Sequence, residues 1–429
     1  MIVSSERSSL RGSIAVPGSK SHTIRAVLLA SMAGGTSTLR NPLRGLDAVS
    51  ALAAAESFGA VTDRKDGVWT IRGPSGGLIP PGNYVDCGNS GSTAYFACSM
   101  AALLDGWTYI TGDEQIRRRP VKALLSALGE LGARAWTARP GVDACPVVVH
   151  GPMKGGTARL DGLFSQYVSS ILMSAPLLEN DTEILVENPG ERPYLDLTLD
   201  WMKRYGVTAE RSADYRRFFV RGGQRYTPAD TVIAGDWSAA AFPAVAALVT
   251  GSTITIESLD YNDGHGDKAV LDFLVRMGAG IEQDPAGNRL VVRGDGTLSS
   301  GIRIDLRDCP DALPALAVAA ARAEGDTLFS GLAVTRLKET DRVQVMASEL
   351  TKMGARIECD ADTMTVHGGR ELRGTLVESH GDHRVAMALL ICGLASGGTT
   401  FVKDAECAEV SFPAFFQAMS ALGASFKTR

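Results

Sequence analysis

Three short runs place charged side chains where a helix is about to begin. In "VPGSKSHTIRAVLLASMAGG" (16–35), Pro17 and Gly18 make a turn, Ser19 is a natural N-cap, and an apolar, Ala-rich helix follows. Lys20 and Arg25 fall in its first turns, where free N–H groups already make the field positive. Cations there repel that field unless an anion is shared between them. "RLKETDR" (336–342) packs Arg336, Lys338, Glu339, Asp341 and Arg342 into one helical entry, and "DHR" (382–384) opens another. "IRRRP" (116–120) adds a basic loop. Read singly, these are a solvated ion-paired face, an acidic cap beside a satisfied histidine, and a basic surface loop. Their positions in the chain decide otherwise.

Six segments share one plan: strand, polar turn, apolar helix, Gly-rich turn, strand. They begin at "IAVPGSK", "VDCGNSG", "ARLDGLFSQ", "VIAGDWS", "IDLRDCPD" and "VESHGDHR", and recur roughly every 70 residues. Between them lies a second helix type with Leu and Met at i, i+3 and i+4, ending in Gly, as in "AVLDFLVRMGAGIEQ" and "VMASELTKMGARIEC". The chain therefore reads as six β-α-β-α-β-β units. The first helix set carries Lys20, Asn89, Ser165, Gln166, Asp236, Asp311, Asp382, His383 and Arg384 at its N-termini. Three such units around a pseudo-threefold axis would converge their helix N-termini, which is a ready anion site.

The bulk properties narrow the class. A chain of 429 residues exceeds one ordinary core, so two domains are expected. The composition is globular, with 45% hydrophobic, 21% charged and 6% aromatic residues. A net charge of −5 argues against a nucleic-acid surface, so any anion must be held by a local group of cations. The cysteines at 87, 98, 145, 309, 359, 392 and 407 are odd in number and form no C-x-x-C, which suggests neither a disulfide framework nor a zinc site. No signal-peptide core and no membrane-length apolar run is visible, and a reduced, cytoplasmic protein is expected.

PGSKS-x-x-x-R, GNSG, R-P, SQ, KETDR and DHR-x-AM occur in order, at matching places in the repeat. In this combination, from about Leu10 to Pro413, the chain resembles the EPSP synthase family of enolpyruvyl transferases. The resemblance implies an α/β fold of two inverse α/β-prism domains, each of three β-α-β-α-β-β repeats around a pseudo-threefold axis. Domain I would comprise 1–17 plus 235–429, domain II 18–234, with the active site in the interdomain cleft. It implies transfer of the enolpyruvyl group of phosphoenolpyruvate to the 5-hydroxyl of shikimate 3-phosphate, with release of phosphate. No metal or organic cofactor, nucleic acid or membrane is called for, and a monomer is expected. By this likeness Lys20 touches both substrates, and Ser21 and Arg25 hold the shikimate part. Gly91, Arg119 and Gln166 lie near phosphoenolpyruvate, Ser165 and Gln166 near the acceptor, and Asn89 is a further substrate-binding residue. Lys338 and Asp311 contact the acceptor ring, and Tyr194 lines its apolar side. Arg342 and Arg384 grip the phosphoenolpyruvate carboxylate, as forked guanidiniums suit carboxylates. Asp311 fits the base that takes the hydroxyl proton, and Glu339 and Lys20 are the acid/base candidates at the vinyl carbon.

Related families fit less well. UDP-N-acetylglucosamine enolpyruvyl transferases normally have Lys-Asn where this chain has Lys20-Ser21, and no reactive cysteine loop matches "DEQIRRRP". RNA 3′-phosphate cyclases share the repeat, but the acidic charge and KETDR speak against them. Several residues depart from the family pattern: Tyr95 after GNSG, Phe164 in place of the first Ser of Ser-Ser-Gln, Glu191 before Arg192-Pro193-Tyr194, Val334, and Val410 before Ser411-Phe412-Pro413. Phe164 donates no hydrogen bond, and Glu191 repels a dianion. Either neighbours such as Arg192 and Arg118 substitute for the lost contacts, or the acceptor is a different, unphosphorylated cyclic alcohol. A non-catalytic, ligand-binding relative is a further alternative.

Overall fold

Six four-stranded sheets and two kinds of helix build the computed structural model, which describes residues 1–294 and 296–428. The chain divides into two units, one of Met1–Ser19 with Ala234–Arg429 and one of Lys20–Ile233; they are called unit 1 and unit 2. Unit 2 carries α1 (Lys20–Met32), α2 (Leu46–Ser57), α3 (Gly91–Ala101), α4 (Lys122–Glu130), α5 (Ser165–Ser174) and α6 (Arg192–Arg204). Unit 1 carries α7 (Trp237–Val249), α8 (Val270–Arg276), α9 (Leu313–Arg322), α10 (Arg342–Lys352), α11 (His383–Gly393) and α12 (Phe415–Ala421).

Odd and even helices differ as their patterns predict. Every residue of α7 and of α11 is buried, so these helices are apolar all round. In unit 1, α7, α9 and α11 pack on one another. The even helices bury a single stripe, such as Leu124, Leu125, Ala127 and Leu128 of α4. They end on left-handed glycines, as at Gly206 (φ +81°) and Gly354 (φ +102°), where a side chain would be strained. No helix among the described residues is long and apolar enough to cross a membrane.

Each sheet has one parallel pair and two antiparallel ones. The strand that opens the first repeat does not join the sheet of that repeat. Arg11–Ala15 pairs in parallel with Thr253–Glu257 of unit 1, whereas Asp230–Val232 pairs with the Gly35–Arg40 strand of unit 2. The first and fourth repeats have thus exchanged their leading strands. Ile2–Glu6 completes the sixth sheet between Thr400–Lys403 and Ser425–Thr428. The two ends of unit 1's chain meet at a Gly18–Gly235 bridge, beside which Ser19 N donates to Ala234 O at 2.8 Å.

One glycine near the last strand of five repeats is set by packing. A Cβ on Gly151 would lie 2.3 Å from Ala102 O, and one on Gly368 would lie 2.0 Å from Ala323 O. Gly73, Gly222 and Gly294 stand similarly close to carbonyls in the last turn of, or beyond, their own inner helices. The sheet closes onto the helix end only where no side chain intervenes. Replacing Gly368→Ala is expected to destabilise the protein by about 1–3 kcal/mol, because backbone rather than a flexible side chain must shift. A urea midpoint equal to that of the parent chain would show that this contact is not tight.

Candidate active site

Unit 1 gathers its charges where three helices begin. Asp382 caps α11, accepting from Arg384 N at 2.9 Å. The same carboxylate accepts from Arg342 Nε at 2.7 Å and from Thr340 Oγ1 at 3.2 Å, which ties the start of α10 to the start of α11. Asp311 lies in the single turn Pro310–Ala312 that leads into α9. It accepts from Arg342 Nη1 at 2.6 Å and pairs with Arg384 Nη2 at 3.1 Å. Lys338 Nζ is 3.9 Å from it, and Glu339 accepts from Arg342 Nη2.

The Arg342 side chain is 0% exposed. Burial opposes its charge, but Asp382, Glu339 and Asp311 outweigh burial and raise its pKa well above the usual arginine value. Arg384 is buried too; burial is again outweighed, chiefly by Asp311, and its pKa is raised. KETDR is therefore no solvated face. Its Arg342 is sealed, the side chains of Lys338 and Glu339 are largely buried, and Asp341, paired with Arg336, is the more open to water. Arg342 turns its fork toward Asp311, Glu339 and Asp382 rather than toward open space. Lys338, Arg342 and Arg384 stand against Asp311, Glu339 and Asp382, a balance of charge within the protein itself.

Unit 2 presents a sparser set. Lys20 Nζ pairs with Asp47 Oδ2 at 3.0 Å, an intramolecular counter-ion for the cation at the head of α1. Ser21 offers its carbonyl to Arg25 Nη1 at 3.0 Å. Arg25 is buried over the Phe96 ring at 5.4 Å and also bonds Thr198 Oγ1 and Tyr194 O, both on α6. Asn89 braces its loop through Asp113 and Gln115. Gly91 opens α3, and a Cβ there would lie 2.3 Å from Arg119 Nη1. The missing side chain lets that guanidinium lie against the helix end. Ser165 and Gln166 open α5, and Tyr194 is buried in the first turn of α6. In "IRRRP", Arg117 and Arg118 are exposed as a basic loop would be, and Arg118 pairs with Glu114 in solvent. Arg192 is exposed over the Tyr215 ring.

Other contributors have structural roles that the sequence did not assign. Tyr95 and Tyr167 both donate to Pro120 O, and their rings meet edge-on at 4.9 Å beside Phe164. This aromatic wedge sets the corner that follows Arg119, and it accounts for the departures at Tyr95 and Phe164. Glu349, buried on α10 two turns beyond Arg342, accepts from Lys352, from Glu378 N at 3.0 Å and meets His380 Nε2 at 3.0 Å. Burial works against its charge, yet these partners bring its pKa below the ordinary glutamate value. It anchors the segment that leads to Asp382; spacing of seven from Arg342 was its only signal. Ser238 donates to buried Asp267, whose N–H donates to His265 Nδ1 at 3.2 Å. Burial raises the Asp267 pKa, while the charge of Arg384 pulls against that rise.

Comparison with known proteins fits this arrangement. Residues 5–419 match the family model described as EPSP synthase (3-phosphoshikimate 1-carboxyvinyltransferase). The chain belongs to the EPSP synthase family. A relative named 3-phosphoshikimate 1-carboxyvinyltransferase from Ruminiclostridium cellulolyticum is 41% identical over 423 residues, 99% of each chain. One of the same name from Acetivibrio thermocellus is 42% identical over 428 residues, covering both chains fully. A solved structure of EPSP synthase from Acinetobacter baumannii superposes with a TM-score of 0.83 at 28% identity over the full length of both. The chain is thus a transferase of two α/β-prism domains, as its repeats suggest.

The buried hub gives a contrast that stability measurements can read. Asp382→Asn removes a buried countercharge from Arg342 and is expected to cost about 3–5 kcal/mol. Arg293→Ala, which breaks an exposed pair with Glu282, is expected to cost about 1 kcal/mol or less. Equal shifts in the denaturation midpoints of the two variants would contradict the assignment of Asp382 as the anchor.

Proposed function

We propose that this member of the EPSP synthase family joins phosphoenolpyruvate to the 5-hydroxyl of shikimate 3-phosphate and releases phosphate. The observation that carries the reading is the ion-paired group of Asp311, Lys338, Glu339, Arg342 and Arg384, assembled on a sealed Arg342 at the entries to α9, α10 and α11. In this proposal Arg384 and Arg342 receive the phosphoenolpyruvate carboxylate, while Lys20 and Arg119 serve the phosphate side. Ser21, Arg25, Ser165, Gln166 and Tyr194 hold the acceptor, and Asn89 and Gly91 shape the turn beside Arg119. The monomeric state and cytoplasmic location expected from the sequence belong to the same reading; the seven cysteines are free thiols.

The chemistry follows from the pairings. An alcohol is a weak nucleophile near neutral pH, so a carboxylate must accept its proton as the C–O bond forms. Asp311 does this once the substrate carboxylate replaces it as partner to Arg384, which leaves it with less positive charge to hold. Glu339 and Lys20 deliver a proton to the methylene carbon, giving a tetrahedral intermediate. Loss of a proton from the new methyl group, with departure of phosphate, regenerates the vinyl ether. The helix N-termini and guanidiniums favour the added negative charge throughout.

Incubation with phosphoenolpyruvate and shikimate 3-phosphate should release inorganic phosphate and form the enolpyruvyl ether; absence of turnover would refute the reading. Asp311→Asn is expected to lower kcat by about 100- to 10,000-fold, while phosphoenolpyruvate affinity changes far less. If kcat survives, Asp311 is not the base.

A further inference from the structure

We propose that Glu191 is a specificity-determining residue whose carboxylate occupies the anion seat at the head of α5, and so shifts acceptor preference from the phosphorylated cyclic alcohol toward the unphosphorylated one. This rests on the acceptor assignment made above.

The ten-residue helix α5 lacks a side-chain cap of its own, because Phe164 stands at the N-cap position. Glu191 supplies what is missing from 26 residues away. Its Oε2 accepts from Ser165 N and from Ser165 Oγ, each at 3.0 Å. Glu191 is 2% exposed and adopts a left-handed conformation, φ 45° and ψ 41°. That conformation is unusual for a residue with a side chain. The donors at this helix start, which an incoming phosphate would use, are already engaged by a carboxylate of the protein.

Two independent observations show that the surroundings suit one built-in anion. The Arg25 guanidinium is buried, and the hydrogen bonds it donates go to neutral oxygens of Ser21, Tyr194 and Thr198. Burial pulls its pKa down to about 10, and the nearby negative charges, that of Glu191 among them, work to restore it. A dianion brought beside Glu191 would place like charges together in a setting where water screens them poorly. Beside Ser165 in the chain, Gln166 Oε1 is buried with no donor to satisfy it. An unsatisfied amide oxygen calls for a hydroxyl donor, which a ring hydroxyl provides and a phosphate dianion in its place does not.

The test uses the full chain and two variants, Glu191→Gln and Glu191→Ser. Calorimetry measures binding of shikimate 3-phosphate and of shikimate, and phosphate release with phosphoenolpyruvate is followed in parallel. Both variants should shift the affinity ratio toward shikimate 3-phosphate by about tenfold or more, since like charges juxtaposed at a binding surface cost several kcal/mol. Glu191→Gln keeps an acceptor oxygen for Ser165, so it reads the charge even if the serine variant folds poorly. A ratio unmoved in the glutamine variant overturns the proposal. Parent chain that binds the acceptors but releases no phosphate with either would instead count against the transferase reading, and the binding ratios would still decide the role of Glu191.

Discussion

The contact on which unit 1's functional end depends is the buried bond between Arg342 and Asp382. It joins the first residue of α10 to the cap of α11, and through Asp311 the same guanidinium reaches the turn before α9. Three helix starts are thereby held together by one side chain. A buried arginine of this kind is stable only when its countercharges are complete. That requirement explains why three carboxylates crowd around a site whose proposed ligands are themselves anions. Without them the cations would repel one another and the helix field alike.

The repeats and the two helix classes could be read from the sequence because both are periodic. All-apolar segments become inner helices, and one-striped segments ending in glycine become outer ones. The exchange of leading strands could not be read. Residues 11–15 continue directly into the first inner helix, and nothing local tells them to pair with Thr253–Glu257. That choice is made by partner strands remote in the chain. The glycines against the inner-helix ends escaped for a similar reason. Their role is defined by carbonyls 40 to 50 residues away, and composition carries no trace of it.

At the site, the types of residue were legible and their partners were not. Lys20, Arg342 and Arg384 stand out as cations at helix starts. Their counter-ions Asp47, Asp382 and Asp311 lie at separations that no motif spans. Glu349, Tyr167 and Asp267 act one step further out, by holding a loop, bracing a corner or sharing charge. Nothing in their local spacing distinguishes them from ordinary helix and loop residues.

The same logic unites the two halves of the charged apparatus and makes sense of Glu191. In unit 1, each cation at a helix start has a protein carboxylate beside it, and an incoming ligand must exchange with that carboxylate rather than fill a vacancy. In unit 2, Lys20 meets Asp47, and the α5 amides meet Glu191. Exchange is easy where the protein's own acid is partly open to water, as Asp311 is, because the released group can be solvated. It is hard where that acid is sealed and held by a constrained backbone, as Glu191 is. Position along that scale separates an acid that takes part in turnover from one that fixes which acceptor enters.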